Sequence, residues 1–179
     1  MKKIFLFLCL IIPTLAFSQN NQEKVSITKF EEFASATGRI IKFIDYQIPN
    51  ISSTFGVLET SIRKVISSGE ISYYYRLENL NRRTMIEYSD LVEINKALEI
   101  LALEVSQDLY LNPDYMESKF RTTDDVTIGY YISKGQAKWY IDLGIYSDDT
   151  VFIRDHKDMI NQFKNAQMKI EELMSKDKN

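Results

Sequence analysis

The single histidine of the chain, His156, lies among carboxylates and is the first candidate for proton-transfer chemistry. Asp155 and Asp158 flank it, and a carboxylate that orients a histidine makes a general base. The same residues also suit the first turn of a helix, with Asp155 as the N-cap and the histidine as one polar surface residue. Because the chain has one histidine and one cysteine, Cys9, it cannot build the familiar zinc sites. We therefore predict no metal and no cofactor.

Two pairs of adjacent acids, Asp124-Asp125 and Asp148-Asp149, are the other candidates for chemistry. A curled loop of carboxylates binds calcium, and two carboxylates across a cleft can hydrolyse a glycosidic bond. Neither pair shows the alternation with glycine of an EF-hand loop, and aspartate is common in turns. The sequence also has no glycine-rich phosphate loop and no Gly-x-Ser-x-Gly motif. A carboxylate-dependent hydrolase is therefore the alternative interpretation, and we assign no catalytic residue.

Aromatic residues make up 12% of the chain and are its one surplus in composition. They cluster in three runs, which are Tyr73-Tyr74-Tyr75, Tyr130-Tyr131 and Trp139-Tyr140. An exposed row of tyrosines on a sheet can stack on sugars or anchor a protein partner. The alternative is that tyrosine is a good strand residue that only packs against its neighbours. Alternation along each strand turns Tyr73, Tyr75 and Trp139 inward, and we predict that the outward residues bind the ligand: Tyr74, Tyr131 and Tyr140.

The runs of aromatic residues belong to an internal repeat with an offset of 66 residues. Ser61–Tyr88 aligns with Thr127–Arg154 without a gap, with seven identities in 28 positions. The identities include Gly69 with Gly135 and Tyr74 with Tyr140. Self-similarity at a fixed offset indicates that one structural unit is used twice. We place repeat 1 at about 57–108 and repeat 2 at about 120–175.

Each repeat is predicted to form three antiparallel strands followed by a helix. Alternating apolar residues on either side of a glycine turn, at Gly69 and again at Gly135, are typical of a β-hairpin. A further turn and a third strand follow each hairpin, with Tyr146–Asp149 as the turn of the second copy. The period then changes to that of a helix, with Ser89 and Asp155 as predicted N-caps. The first helix is apolar nearly all round, so we expect it to be covered on more than one side.

The segments outside the repeats have weaker patterns. Ile27–Phe33 and Arg39–Tyr46 suggest a leading hairpin that extends the sheet, although Lys29–Ala34 also suits a helical turn. Between the repeats, Tyr110–Phe120 is a connection in which Pro113 is expected to begin a short helical turn. The predicted fold is a single α+β domain over residues 19–179. It has an antiparallel sheet built from a duplicated strand-strand-strand-helix unit and two helices packed on that sheet.

The N-terminal 18 residues have the three parts of a secretory signal peptide. Lys2 and Lys3 precede the apolar run Ile4–Ile12, and Ala16-Phe17-Ser18 supplies small residues before the expected cleavage site. Nine apolar residues are too few for a membrane-spanning helix, which needs about 20. We therefore predict that residues 1–18 are a signal peptide and that the protein is exported, periplasmic or secreted. No transmembrane segment is expected after cleavage, and Cys9 would leave with the signal peptide.

The charge balance restricts the class of partner. The net charge is −3, and removal of Lys2 and Lys3 makes it more negative. A nucleic-acid partner needs a basic surface, so we exclude one. The leading interpretation is a non-enzymatic binding or cell-envelope interaction module with a protein or glycan partner. Carboxylates that converge in a pocket would favour the hydrolase, and carboxylates scattered over hairpin tips would favour the binding module.

Overall fold

The computed structural model describes residues 28–35, 37–80, 82–144 and 150–178. The predicted signal peptide, residues 1–18, and the predicted turn at 146–149 lie outside these ranges. The described residues form an α+β structure with three helices and two antiparallel sheets. The elements in chain order are α1 Lys29–Ala34, β1 Ile41–Gln47, β2 Ile51–Ser53, β3 Gly56–Ser67, β4 Glu70–Asn79, β5 Arg82–Glu87, α2 Tyr88–Tyr110, β6 Tyr115–Arg121, β7 Thr127–Ser133, β8 Gln136–Asp142, β9 Thr150–Phe152 and α3 His156–Asp177.

The first sheet has the order β1-β3-β4-β5, and β2 pairs with the beginning of the long strand β3. The second sheet has the order β6-β7-β8-β9. Each sheet contains a hairpin with a two-residue turn, which is Ser68-Gly69 in the first sheet and Lys134-Gly135 in the second. All four residues have positive φ angles, between 51° and 88°. This is the turn geometry that matches strand twist, and it confirms both predicted hairpins.

The two sheets meet along one line of backbone contacts. Ser53, at the end of β2, forms an isolated bridge with Ile153 just after β9. The Thr54 N–H donates to the Phe152 carbonyl at 2.8 Å, and the Arg154 N–H donates to the Ser52 carbonyl at 3.1 Å. We predicted one sheet, and the structure has two that adjoin through these short strands.

The helices α2 and α3 cover the inner faces of the sheets and form the main core with them. Asp155 caps α3 as predicted, because its side chain accepts hydrogen bonds from the backbone N–H groups of Lys157 and Asp158. The predicted cap of α2, Ser89, is wrong. The helix begins one residue earlier at Tyr88, and the Ser89 hydroxyl donates to the Glu87 carboxylate instead.

The expectation that α2 is covered on more than one side is also wrong. Its buried residues form one stripe that includes Leu91, Leu98 and Val105. Ile100 and Leu103 lie on the back of the helix, where Leu103 is 82% exposed. Helix α2 therefore has more apolar residues than it buries in the core.

Two predictions for the flanking segments need correction. The first half of the leading hairpin is the helix α1, whose N-cap Thr28 and Glu31 form a reciprocal capping box. The alternative of a helical turn at Lys29–Ala34 is thus confirmed, and only the second half of the hairpin is a strand, β1. The connection between the repeats contains the strand β6 and not a helical turn after Pro113. Its inward side chains include only two large apolar residues, Met116 and Phe120, so its alternation is weak in sequence.

Candidate functional site

The outer face of the second sheet carries an open hollow of about 450 Å³. We call it the tyrosine hollow. It lies on the side of the sheet opposite α2 and the main core, and strands β6 to β9 all contribute to it. Its lining combines aromatic rings with charged side chains: Tyr115, Glu117, Lys119, Arg121, Asp125, Thr127, Tyr131, Tyr140, Asp142, Gly144, Thr150 and Phe152.

Gly129 shapes the floor of the tyrosine hollow. It pairs with Lys119 on β6 and with Tyr140 on β8, so it lies in the middle of the sheet. The Tyr140 hydroxyl donates to the Glu117 carboxylate on β6 at 2.7 Å, so its side chain extends from β8 across β7. A Cβ atom at position 129 would clash with Ser118 and Lys119 of β6, so only glycine fits between the two strands. The tyrosine ring therefore lies along the sheet and does not project into solvent, and it is 6% exposed.

The bond between Tyr140 and Glu117 has a defined protonation state. Burial, together with the neighbouring Glu117 carboxylate, raises the pKa of the Tyr140 phenol, so the hydroxyl keeps its proton and donates. Hydrogen bonds from Lys119 and then from Tyr140 lower the pKa of Glu117, so this carboxylate is ionised and accepts. The pair is a fixed structural element at neutral pH.

Two more aromatic residues, Tyr115 and Phe152, line the tyrosine hollow around Tyr131. The rings of Tyr115 and Tyr131 stack with their centroids 6.1 Å apart, and Phe152 meets Tyr131 edge-on at 6.2 Å. Tyr131 is half-buried among them, whereas Tyr115 is 64% exposed. Contacts between neighbouring aromatic rings of this geometry are favourable, so the three side chains form one cluster.

Four of the five charged side chains that line the tyrosine hollow form ion pairs with one another. Lys119 contacts Glu117 at 2.9 Å, and Arg121 contacts Asp125 at 2.6 Å. Asp142 accepts a hydrogen bond from the backbone N–H of Gly144 at 3.3 Å. The lining is therefore polar without a strong excess of either charge.

A second hollow of about 400 Å³ adjoins the first and shares Tyr131 and Phe152 with it. We call it the phenylalanine hollow, after Phe55 at the turn between β2 and β3. This ring is 91% exposed. On the opposite wall the Lys138 ammonium group lies 5.8 Å from the centre of the Tyr131 ring. The Tyr131–Phe152 pair forms the ridge between the two hollows.

Of the three predicted binding residues, the structure brings Tyr131 and Tyr140 together and places Tyr74 elsewhere. Tyr74 does lie on the outer face of its sheet, but it is only 2% exposed because α1 covers it. Its ring packs edge-on against Phe30 of α1 with centroids 5.2 Å apart. Tyr74 and Tyr140 lie on the outer faces of their sheets as predicted, but the expectation that they belong to an exposed row of tyrosines is wrong, because both are buried.

The other sequence candidates lie outside the hollows or are only partly in them. His156 stacks on Trp139 with a centroid distance of 4.9 Å and an interplanar angle of 6°. Asp124 accepts a hydrogen bond from the backbone N–H of Lys29 at the beginning of α1, and burial raises its pKa. Asp125 does line the tyrosine hollow, whereas the pair at 148–149 lies outside the described residues.

Sequence reasoning missed Tyr115, Glu117, Phe152 and Phe55. Tyr115 and Glu117 lie on β6, which was not predicted as a strand, so it could not be inferred that their side chains share one face of the sheet. Phe55 lies in the turn between β2 and β3. Its position next to Gly56, in a turn, is the one sequence feature that could have indicated that its ring is exposed.

Within the described ranges, no group of three or more histidine, cysteine, aspartate or glutamate side chains is placed to hold a metal ion. None of the described helices has both the length and the apolar character that crossing a membrane requires. Comparison with protein-family models, with curated proteins and with solved structures finds no match to this chain. The fold and the site thus define an α+β protein with an open, aromatic and charge-paired depression on the outer face of one sheet.

Proposed function

We propose that this protein is an exported, non-enzymatic binding module of the cell envelope, whose ligand binds to the outer face of the second sheet. The observation that carries the proposal is the cluster of Tyr115, Tyr131, Tyr140 and Phe152 beside paired charges in one hollow. Tyrosine combines a large apolar ring with a polar group and loses little conformational entropy when it is already packed. Such a surface suits recognition of a partner or a glycan by side chains.

The duplicated unit is part of the same proposal. The two halves share the order of three strands and a helix, as β3-β4-β5-α2 and β7-β8-β9-α3. They also share the two-residue turn with positive φ angles at Gly69 and Gly135. Tyr74 and Tyr140, at matching positions of the repeat, both lie on the outer faces of their sheets. These common features support descent from one repeated unit.

Export is proposed from the sequence of residues 1–18, whose basic start, apolar run and small residues are typical of a signal peptide. An extracytoplasmic location agrees with the absence of cysteine after Cys9, since stability then requires no particular redox state. Fractionation of cells that express the protein, with N-terminal sequencing of the product, tests both parts. A cytoplasmic product that retains Met1 would contradict the proposal.

The test of binding is thermal unfolding of the purified protein with a panel of glycans, peptidoglycan fragments, lipids and peptides. A ligand at 100 times its dissociation constant adds about 2.7 kcal/mol of stability. For a protein of this size we expect the melting temperature to rise by about 5–10 °C. The variant Tyr131→Ala should remove the rise, whereas Tyr110→Ala, an exposed tyrosine on α2, should retain it. A rise that survives Tyr131→Ala would place the ligand elsewhere and refute the proposed site.

A carboxylate-dependent hydrolase is the second candidate, because Glu117, Asp125 and Asp142 line the same hollow. Acid catalysis needs one carboxyl group that is protonated at neutral pH, which requires a raised pKa. The pKa of Glu117 is lowered, and Asp125 accepts two hydrogen bonds from Arg121. The arrangement therefore favours binding. Turnover of a glycoside by the purified protein that is lost in Glu117→Gln would reverse this order.

A further inference from the structure

We infer that the ligand is an uncharged oligosaccharide chain that lies across both hollows, with Tyr131 as the shared contact. This inference rests on the proposed binding function and adds the chemical class and the extent of the ligand. Its supporting observations are the continuity of the two hollows, the paired charges of their lining and the pairing of the central strands β7 and β8 on both sides.

The continuity of the hollows gives the ligand its length. Residues at the two ends, Tyr115 and Phe55, belong to β6 and to the turn after β2, and Tyr131 and Phe152 lie between them. Since β2 adjoins β9, the path from β6 crosses four steps between neighbouring strands. At about 4.8 Å a step, the two ends are about 19 Å apart. Such a span exceeds one or two sugar rings and fits a chain.

The charge pattern selects an uncharged ligand. The two hollows contain three acidic residues, Glu117, Asp125 and Asp142, and three basic residues, Lys119, Arg121 and Lys138. Because the numbers are equal and close ion pairs join several of them, a charged ligand would gain little net attraction. Paired carboxylate, ammonium and guanidinium groups still have lone pairs and N–H groups to spare, and these can bind hydroxyl groups.

The middle of this face, where the two hollows meet, offers no free strand edge to a peptide. Strands β7 and β8 are paired on both sides, and β9 pairs with β8 and meets β2. A peptide that binds by adding a strand needs a free sheet edge. Among the described strands of the second sheet, β6 is an edge at which a strand could add, so a ligand that lies across Tyr131 and Phe152 is recognised by side chains on the face of the sheet. Exposed rings that meet C–H faces, flanked by polar groups that meet hydroxyls, suit a sugar chain.

The test is titration calorimetry with neutral oligosaccharides of glucose, mannose and N-acetylglucosamine, from monosaccharides to hexasaccharides. For at least one series we expect the affinity to increase at least about tenfold from the disaccharide to the hexasaccharide, the effect of added aromatic contacts. Phe55→Ala should abolish the gain with length, so that the hexasaccharide binds no more tightly than the disaccharide. Leu103→Ala, an equally exposed apolar residue on α2, is the matched control and should change neither.

Three results would overturn the inference. One is the absence of binding by every neutral series, and another is an affinity that does not depend on length. The third is tighter, salt-sensitive binding of an anionic chain such as polygalacturonate. The proposed function fails separately. If a peptide or lipid binds and Tyr131→Ala abolishes that binding, the site stands and only the sugar chain is refuted, whereas indifference of all ligands to Tyr131→Ala refutes the site itself.

Discussion

Substitution of Gly129 by alanine is the most direct test of how the second sheet forms the tyrosine hollow. The φ angle of Gly129 is one that any residue adopts, so backbone conformation does not require glycine here. The requirement is spatial. An alanine Cβ would lie 2.3 Å from the carbonyl oxygen of Ser118 and 2.8 Å from the Cα and Cβ atoms of Lys119.

These distances set the size of the effect. The atoms in the way belong mainly to the backbone of β6, so no side-chain rotation relieves the contact and the strand itself must move. Overpacking of this kind costs about 1–3 kcal/mol, and a clash with backbone belongs at the upper end. Alanine also restricts the unfolded chain, which offsets about 0.4–1 kcal/mol. We therefore expect Gly129→Ala to lose about 2 kcal/mol of unfolding free energy, or about 4–8 °C in melting temperature.

The assay is equilibrium unfolding in urea, followed by circular dichroism, with the slope of the transition compared between variants. Gly135 provides the control, because it has a φ of +71° and open space around it. Gly135 is required for its backbone conformation, and asparagine adopts a positive φ angle more readily than alanine does but less readily than glycine. Gly135→Asn should therefore be milder than Gly135→Ala, whereas Gly129→Asn should be more severe than Gly129→Ala.

A Gly129→Ala protein as stable as the parent would refute the close approach of β6 to β7, and with it the floor of the tyrosine hollow. The same order of alanine and asparagine at both positions would refute the distinction between spatial and conformational requirements. A destabilised variant that binds ligand with unchanged affinity would show that the position of β6 does not matter for the site.

The remaining predictions concern two side-chain contacts, a hydrogen bond and a ring stack, whose contributions to stability depend on pH. Tyr140→Phe removes the hydrogen bond to Glu117 and should cost about 1 kcal/mol at neutral pH, because Lys119 still contacts that carboxylate. The pKa of Glu117 is lowered in the folded state, so the stability that this hydrogen bond contributes is present above the unfolded pKa of Glu117 and is lost as the pH falls through its folded pKa. Urea unfolding should therefore show a smaller difference in stability between Tyr140→Phe and the parent protein in acid than at neutral pH. Burial lowers the pKa of His156, so its NMR titration should have a midpoint below about 6.5, and stability should decrease as the pH falls below that value. Two results would contradict the conclusion that His156, stacked on Trp139, lies in surroundings that favour its neutral ring. One is a titration midpoint above about 6.5, and the other is a dependence of stability on pH that His156→Gln leaves unchanged.

The sequence predicts those elements whose patterns are local and strong. Gly69 and Gly135 each follow a residue that also takes a positive φ angle, and the flanking strands alternate, so both hairpins were predictable. The cap at Asp155 was predictable for the same reason. By contrast, β6 has few large apolar residues and follows Pro113, and a helical turn is the ordinary expectation after such a proline.

The burial of the tyrosines could not be predicted, because it depends on contacts between distant segments. Alternation tells which face of a strand a residue occupies, and Tyr74 does lie on the outer face. It does not tell whether another element covers that face, and here α1 covers it, 44 positions earlier in the chain. Likewise the path of Tyr140 across β7 depends on Gly129 and on Glu117, neither of which is near it in sequence.

The position of α1 also explains why the outer faces of the two sheets differ. Phe30 and Phe33 of α1 pack with Val65 and Tyr74 on the first sheet, where the matching residues of the second sheet are Tyr131 and Tyr140. Lys29 holds α1 in place, since its ammonium group contacts Asp90 at 2.8 Å and Glu87 at 3.3 Å. Under the proposed duplication, the first unit uses its outer face to bind a segment of its own chain. The second unit leaves the same kind of face uncovered, with aromatic rings in place of a covering helix, and under the proposed function this asymmetry is why we place the ligand on the second sheet.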